Sequence, residues 1–282
     1  MSLILVDMSN VALHALQSAS SGKMNYFQLT EMSLRHVVLK RLFDIHKQFG
    51  IEREMVLCFD NENYWRSDVF PLYKATRAKA RSYSKFSFEE YKKMFKVFKE
   101  ELPCNFSWKC VDVEKCEADD VIYAICHHVR DRRITIVSSD EDYLQIQNIN
   151  PIVEQFSIAN DKFITPQNKG YDLLEHIITG DSGDGIPNIL SNSNTFVMDG
   201  VRQTPMTKQR KADTLLSVQM GTLDENVQMR YDLNKKLIDM SELPKEYYDK
   251  IIEKFKEPKP KKTGSLMTYC IKYKLNNLLG RL

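Results

Sequence analysis

Three aspartates, Asp7, Asp60 and Asp140, stand at or just after the end of a short apolar stretch. Such stretches are typical of buried strands. An aspartate after a strand often serves only to start a turn or to cap a helix, so a single example would carry little weight. Three of them in one chain favour a shared role, because carboxylates gathered at one place can bind a hard metal cation.

Further acidic residues occur in three compact motifs: E-A-D-D, S-S-D-E-D and G-D-S-G-D-G-I-P. The first begins an apolar-periodic helix, where the helix dipole favours acids in any case, so that motif alone is weak. The motifs gain weight together with the strand-end aspartates. The candidate metal ligands are Asp7, Asp60, Glu117, Asp119, Asp120, Asp140, Asp142, Asp181 and Asp184.

Clustered carboxylates indicate a particular chemistry. They cannot all stay ionised at close range unless a cation offsets their repulsion. Oxygen ligands of this kind select Mg²⁺, with Mn²⁺ as a substitute, over softer metals. Two such ions can activate a water and help an oxygen leave phosphorus, so a two-metal phosphodiesterase is the natural interpretation.

Other catalytic patterns are absent from the sequence. It has no G-x-x-x-x-G-K-[ST] loop, no H-E-x-x-H and no G-x-S-x-G. Ser9 stands where a haloacid-dehalogenase-like phosphatase would need a second aspartate. The cysteines form no C-x-x-C pair, so we expect reduced thiols. His127 and His128 are neighbours on a predicted helix and point apart, which makes them a poor zinc pair and favours structural or solvated roles.

The elements that must position the acids alternate along the chain. Leu3 to Val6, Met55 to Phe59 and Ile134 to Val137 are predicted strands, and Glu31 to Phe49 has the periodicity of a helix. Alternating strands and helices predict an α/β fold with a mostly parallel central sheet flanked by helices. Ligands collect at the carboxyl ends of such a sheet, where the aspartates would converge.

A basic and aromatic segment lies between the second and third predicted strands. From Arg66 to Lys99 it has ten basic residues and three acidic ones, with aromatic residues interleaved. This mixture suits binding of phosphates and stacking of unpaired bases. The alternative is a helix with a solvated basic face and an aromatic face in the core.

The overall composition excludes some classes of protein but does not by itself indicate a function. The 282 residues are 43% hydrophobic and 28% charged, with a formal net charge of +2, which is an ordinary globular balance. The sequence has neither a signal-peptide pattern nor an apolar stretch of membrane-spanning length, so we expect a cytoplasmic protein without membrane contact.

After residue 165 helical patterns dominate. Lys256 to Lys262 is a predicted linker, and Ser265 to Leu282 would pack on the core or bind a partner.

The motifs in their order resemble the 5′ nucleases, the family of flap endonucleases and of the 5′ nuclease domains of bacterial DNA polymerases. The resemblance is carried by Asp7, C-F-D at Asp60, Y-W-R-x-x-x-F-P-x-Y-K-x-x-R from Tyr64 to Arg77, E-A-D-D, S-S-D-x-D and G-D-x-x-D-x-I-P-N. It covers nearly the whole chain. It is strongest toward the ribonuclease H type of T-even phages.

The resemblance implies roles for individual residues. Asp7, Asp60, Glu117, Asp119 and Asp140 would surround a first metal ion, with Asp120 adjacent. Asp142, Asp181 and Asp184 would serve a second. Lys74 and Arg77 match the family's basic pair at the scissile phosphate. DNA-binding candidates are Arg66, Lys79, Arg81, Lys85, Arg202, Lys208, Arg210 and Lys211.

The resemblance also implies an architecture. Residues 1–175 would form a PIN-like metal-nuclease core with a helical arch at about 64–99, and residues 176–282 a helical duplex-binding part with a helix-three-turn-helix motif and a tail. In the family that motif often holds a monovalent cation such as K⁺. The segment Asn188 to Gln203 lacks a second G-x-G hairpin, which leaves the K⁺ site open.

The expected activity is Mg²⁺-dependent 5′ to 3′ exonuclease and flap endonuclease action on DNA and on RNA–DNA duplexes, removing RNA primers and 5′ flaps in replication. We expect a monomer, with a single-strand DNA-binding protein or a sliding clamp as candidate partners. The rival interpretations are a PIN-type endoribonuclease and a DNA-binding protein that has lost catalysis. Against the second rival, no acidic position of the signature is replaced by a neutral residue.

Overall fold

The structure is a computed structural model, and it describes residues 2–21, 28–77, 87–259 and 263–281. The chain divides into two compact units, each assembled from separate stretches of sequence. The first comprises Met1–Glu62, Lys85–Thr165 and Lys245–Leu282, and the second comprises Asn63–Ser84 and Pro166–Pro244. The functional division into residues 1–175 and 176–282 stays a prediction.

The first unit contains a six-stranded sheet with the order β3-β2-β1-β4-β5-β6. Neighbouring strands are parallel except β5 and β6, which are antiparallel. The prediction of a mostly parallel sheet is therefore confirmed. The strands are β1 (Leu3–Asp7), β2 (Glu54–Cys58), β3 (Lys109–Val111), β4 (Ile134–Val137), β5 (Val153–Ser157) and β6 (Lys162–Ile164).

The strand order explains why the acidic residues meet. β1 lies between β2 and β4, so the order of the strands reverses at β1. Val6 is in register with both Leu57 and Val137, which brings the carboxyl ends of the three strands level with one another. Ligand sites of parallel sheets form at this kind of reversal.

Helices follow or precede the strands of the first unit and form most of the second. In chain order they are α1 (Met8–Ser21), α2 (Glu31–Phe49), α3 (Trp65–Val69), α4 (Phe88–Asn105), α5 (Ala118–His128), α6 (Leu144–Ile149), α7 (Pro166–Lys169), α8 (Leu173–Thr179), α9 (Lys208–Met220), α10 (Glu225–Ile238), α11 (Lys245–Lys256) and α12 (Leu266–Lys272). Short 3₁₀ turns lie at Glu141–Tyr143, Met240–Glu242 and Asn276–Arg281.

Local signals set the bounds of α2, which match the predicted ones. Thr30 accepts a hydrogen bond from the backbone N–H of Ser33, and the Ser33 hydroxyl accepts one from the backbone of Thr30. This reciprocal pair caps the helix at its start. Gly50 ends it with a φ of 110°, a conformation that favours glycine.

The last segment of the chain packs on the core of the first unit. Tyr269, Cys270 and Leu278 are buried within the main hydrophobic cluster. Arg35, only 2% exposed, pairs with Glu101, and the Tyr269 hydroxyl donates to the same carboxylate. Of the two alternatives for this segment, the structure therefore shows packing on the core.

The second unit has its own apolar clusters. One contains Phe70, Tyr73 and Leu237, and another contains Ile178 and Ile189. The predicted change to helical structure after residue 165 is confirmed, since this unit is built from α3 and α7 to α10 with connecting loops. Among the residues that the structure describes, no helix has the length and apolar character needed to cross a membrane.

Candidate metal centre

Backbone contacts place Asp60 beside the start of α5 in the first unit. The N–H of Asn61 donates to the carbonyl of Cys116 at 2.9 Å, which ties the loop after β2 to the residues that precede α5. The N–H of Ala118 donates to Asp60 Oδ1 at 2.8 Å. Ser9, just after β1, donates to the other oxygen of the same carboxylate. Two predicted ligand segments are thus joined through Asp60.

Asp7 lies at the centre of this arrangement and is 5% exposed. Its carboxylate accepts hydrogen bonds from the N–H of Asn10 at 3.0 Å and from the Ser138 hydroxyl at 2.9 Å. Burial raises the pKa of Asp7, and the nearby Asp60 and Asp140 carboxylates add to the rise against the lowering effect of these hydrogen bonds, so that the pKa lies at about 7. The negative charge of the site is therefore concentrated around Asp7.

Asp119 is connected to Asp7 through Tyr143. The Tyr143 hydroxyl donates to Asp119 Oδ1 at 2.6 Å and lies 3.2 Å from Asp7 Oδ2. Burial raises the pKa of Tyr143 well above its ordinary value, and Asp119 and Asp7 add to that effect. Tyr143 is thus a neutral donor between two acids of the predicted metal site.

The start of α5 contributes the other two acids of the E-A-D-D motif, Glu117 just before the helix and Asp120 in its first turn. Glu117 and Asp120 are each only 1% exposed. The N–H of Glu117 donates to Asp120 Oδ2 at 2.9 Å, so Asp120 also caps the helix. Asp119, between them, is more accessible.

Asp140 follows β4 and begins a 3₁₀ turn. Its Oδ1 accepts from the N–H of Asp142 at 3.0 Å, and its own N–H donates to the Ser138 hydroxyl at 3.2 Å. The turn ends at Tyr143. All the acids predicted for the first ion therefore belong to one unit, and shared hydrogen bonds link Asp7 with Asp119 and with the backbone of Asp140.

The residues of this centre fit a divalent cation. Asp60, Asp119 and Asp140 are half-buried, so they offer oxygen ligands that are still partly accessible. The pKa of Asp7 is raised first by burial and then by the nearby Asp60 and Asp140 carboxylates, so an ionised Asp7 is costly here without a cation. A hard cation is the group that relieves such a charge.

The acids predicted for a second ion are divided between the units. Asp142 belongs to the first unit, and Asp181 and Asp184 belong to the second. Within the second unit, Asp181 Oδ1 accepts from the N–H of Gly183 at 2.7 Å and from that of Asp184 at 3.2 Å. This turn fixes the G-D-S-G-D motif, and the second ion stays a prediction.

The predicted basic pair contacts Asp184 in the second unit. Lys74 Nζ is 3.6 Å from Asp184 Oδ2, Arg77 pairs with Oδ1, and the Tyr73 hydroxyl donates to Oδ2 at 2.9 Å. Burial would raise the pKa of Asp184, but Lys74 and Arg77 hold it below its ordinary value. The N–H of Lys74 also donates to the Asp184 carbonyl at 2.8 Å, with a φ of 58° at Lys74.

The predicted DNA-binding residues differ in accessibility. Arg202, Lys208 and Arg210 are exposed. Lys211, half-buried, pairs with Glu175 in the same unit. Lys79, Arg81 and Lys85 lie outside the residues that the structure describes.

Arg66 is only 3% exposed. Its guanidinium lies over the Trp65 ring and donates to the Leu237 carbonyl at 2.9 Å. Burial of this kind gives Arg66 a packing role inside the second unit and does not favour contact with DNA.

The basic and aromatic segment separates into two faces where it forms α4. Tyr91 and Phe98 are buried in the core of the first unit, while Lys92 and Lys93 are exposed. For α4 the structure therefore supports the alternative of a solvated basic face and an aromatic core face. Residues 78–86 of the predicted arch lie outside the described part of the chain.

Sequence reasoning missed the side chains that orient the carboxylates. Ser9, Asn10, Ser138 and Tyr143 all bond to acids of the centre or to the loop that carries them. Each is close in sequence to a predicted ligand, which is a signal that was available. Polar residues adjacent to strand-end acids could therefore have been proposed as their hydrogen-bond partners.

Comparison with known proteins gives two family matches that together span the chain. The family described as 5′-3′ exonuclease, N-terminal resolvase-like domain, matches residues 2–170, and the one described as T4 RNase H, C terminal, matches residues 168–282. Ribonuclease H of Enterobacteria phage T4 is 27% identical over 292 aligned residues, covering 98% of this chain and 93% of that protein. DNA polymerase I of Rhizobium leguminosarum is 32% identical over 137 residues, covering 44% of this chain and 12% of that protein.

Solved structures share the fold. A flap endonuclease of bacteriophage T5, crystallised with DNA and metal ions, aligns with a TM-score of 0.59 and 16% identity. The alignment covers 91% of this chain and 100% of that one. The T5 D15 protein co-crystallised with metal ions aligns with a TM-score of 0.57 and 14% identity over 90% of this chain and 99% of that one. The mostly parallel sheet, the clustered strand-end acids and a family match over residues 2–170 agree, and the chain belongs to the 5′-3′ exonuclease family.

Proposed function

We propose that this protein is a Mg²⁺-dependent 5′ nuclease that acts as a 5′ to 3′ exonuclease and as a flap endonuclease, removing RNA primers and 5′ flaps during DNA replication. The family supplies the class of reaction, and the T4 relative, a ribonuclease H, favours RNA in RNA–DNA duplexes as one substrate. The T5 flap endonuclease was crystallised with DNA and metal ions, which favours flapped DNA as another.

One observation carries the proposal. Acids from the ends of β1, β2 and β4 and from the first turn of α5 meet in the first unit, where they accept hydrogen bonds from the hydroxyls of Ser9, Ser138 and Tyr143. The pKa of Asp7 rises to about 7 because the carboxylate is buried and lies near Asp60 and Asp140. A site that tolerates this concentration of negative charge is suited to divalent cations and, through them, to phosphate.

The residues of the first unit would have distinct roles in metal binding. Asp7, Asp60, Asp119 and Asp140 would hold a divalent cation, with Glu117 and Asp120 completing its acidic surroundings. Bound cations of this kind supply an activated water and charge stabilisation at phosphorus. Ser9 and Ser138 keep the carboxylates of Asp60 and Asp7 oriented. Two ions and the identity Mg²⁺ follow from the resemblance, with Asp142, Asp181 and Asp184 serving the second ion.

Lys74 and Arg77 would bind the reacting phosphate. Both are paired with Asp184 in this structure, so their charges are held in place before substrate arrives. A phosphate oxygen would compete with the Asp184 carboxylate for these cations. Two preorganised cations facing a phosphate stabilise the negative charge that develops during attack.

The exposed Arg202, Lys208 and Arg210 would contact the duplex beyond the cleavage point. Such contacts act through backbone phosphates, so they contribute affinity without sequence preference. We propose that the protein acts as a monomer. A single-strand DNA-binding protein or a sliding clamp as partner stays a prediction of the family resemblance.

A labelled flap substrate tests this function. The substrate is a duplex with a 5′ flap, made once with a DNA flap and once with an RNA flap, and labelled at either end of the flapped strand. In Mg²⁺ we expect cleavage of both flaps and short products from the 5′ end, because attack on phosphorus needs no 2′-hydroxyl. Cleavage of RNA alone at internal positions would support a PIN-type endoribonuclease, and retardation without cleavage would support a DNA-binding protein.

A further inference from the structure

Tyr143 joins three elements of the metal centre through a single hydroxyl group. It ends the 3₁₀ turn that begins after Asp140, and its side chain is 0% exposed. The hydroxyl donates to Asp119 in α5 at 2.6 Å and lies 3.2 Å from Asp7 at the end of β1. The turn after β4, the first turn of α5 and the end of β1 therefore meet at one oxygen atom.

A hydroxyl in this position has a specific effect on the two carboxylates. It has only one hydrogen, which the two carboxylates share, and the shorter distance gives Asp119 the stronger part of the bond. The positive end of the O–H dipole then lies between two groups that would otherwise repel each other. The contact also fixes the rotation of the Asp119 side chain, because a hydrogen bond to an ionised acceptor is short and strong.

The fold alone gives no reason for a hydroxyl here. Phenylalanine would fill the same buried volume, and a buried hydroxyl costs free energy unless it is hydrogen bonded. β1 is already held by β2 and β4, and α5 packs through buried Val121, Ile122 and Ile125. The tyrosine oxygen thus adds a contact to two carboxylates in a region whose packing is secured by other residues.

We propose that Tyr143 is a positioning residue whose hydroxyl holds Asp119 and Asp7 in the arrangement that receives the divalent cation, and that it thereby sets the metal affinity of the centre. The inference rests on the proposed function, since it takes both aspartates as metal ligands. Hydrogen-bond partners of metal ligands commonly determine affinity in this way, because they fix the orientation of the ligand before the metal arrives.

Tyr269 supplies a matched control in the same unit. It is also buried, and its hydroxyl donates to a carboxylate, Glu101, at the same distance of 2.6 Å. That carboxylate is paired with Arg35 and is not one of the candidate ligands. Y143F and Y269F therefore remove the same atom and the same type of hydrogen bond, one inside the proposed centre and one outside it.

The test measures Mn²⁺ binding by titration calorimetry in the absence of DNA, together with the Mg²⁺ concentration that gives half-maximal cleavage. For Y143F we expect Mn²⁺ affinity to fall about tenfold and the half-maximal Mg²⁺ concentration to rise by a similar factor. Turnover should largely recover at saturating Mg²⁺. Y269F should stay within about twofold of wild type in both measurements, since it is independent of the centre.

A double variant, D119N/Y143F, separates an effect on the metal site from a general loss of folding. Because Asp119 takes the stronger part of the hydrogen bond, most of the effect should pass through it, and D119N/Y143F should bind Mn²⁺ within about threefold of D119N alone. A further tenfold loss in that background, or wild-type metal affinity in Y143F, would overturn the proposal. Failure of the proposed function looks different, because the wild-type protein itself would then neither bind Mn²⁺ nor cleave the flap substrate.

Discussion

Replacing Asp7 with asparagine should change how the stability of the metal-free protein depends on pH. The pKa of Asp7 is raised from 3.8 to about 7, first by burial and then by Asp60 and Asp140. Because the folded state holds this proton more tightly than the unfolded state, the associated stability is fully present below about pH 4 and is lost as the pH rises through about 7. The carboxylate cluster therefore destabilises the metal-free protein at neutral and alkaline pH.

The size of the effect follows from the rise in pKa. A rise from 3.8 to about 7 corresponds to roughly 4 kcal/mol in all, at about 1.4 kcal/mol per pH unit. About 2 kcal/mol of this falls between about pH 5.5 and about pH 8. Asparagine carries no charge but loses one acceptor oxygen for the hydrogen bonds from Asn10 and Ser138, which costs about 1 kcal/mol at either pH.

The assay is urea unfolding in EDTA at the two pH values. The difference in unfolding free energy, D7N minus wild type, should rise by about 2 kcal/mol between about pH 5.5 and about pH 8. Asp249, exposed on α11 and paired with Lys245, provides the control D249N, which should show no such rise. A pH-independent difference for D7N would refute the reasoning, because it would mean that Asp7 carries no excess proton in the folded state.

Three further outcomes are expected. D119N or D140N should lower flap cleavage by at least about 100-fold, because loss of a ligand should cost no less than the largest losses seen for hydrogen-bond partners of metal ligands. The affinity for duplex in a gel-shift assay should stay near wild type, because basic groups supply most of that affinity. K74A or R77A should lower the single-turnover rate at saturating enzyme by about 100-fold, and an effect on affinity alone would reduce these residues to ordinary phosphate contacts. Y269F should lower the unfolding free energy by about 1.5–3 kcal/mol, the usual worth of a hydrogen bond to a charged group, and an unchanged midpoint in urea would contradict its role in fixing the last segment.

Much of the fold could be predicted because the relevant signals are local. β1, β2, β4 and α2 are marked by apolar runs or by helical periodicity, and their observed bounds lie within a residue or so of the predicted ones. β3 has three residues and begins with a lysine, while β5 and β6 contain Glu154, Gln155 and Lys162. Short strands of mixed polarity resemble loops in sequence, so their place in the sheet depends on tertiary pairing.

The candidate ligands were predictable, but their surroundings were not. Acids at strand ends can be recognised because parallel strands bring their carboxyl ends together. The burial of Arg66 depends instead on α10, whose Leu237 carbonyl accepts its hydrogen bond from far along the sequence. The contact of Tyr143 with both Asp119 and Asp7 likewise requires three elements to be placed in space. The position of Tyr143 beside Asp142 marks it as a candidate hydrogen-bond partner, but sequence spacing does not say which carboxylates it contacts.

Anomalous diffraction from a crystal of the protein grown with Mn²⁺ would test the central claim most directly. We expect a peak within about 2–2.5 Å, the range of metal–oxygen bonds, of carboxylate oxygens from Asp7, Asp119 or Asp140. Such a peak would identify these acids as metal ligands independently of any activity. A crystal of active enzyme with Mn²⁺ bound only away from these carboxylates would contradict the account.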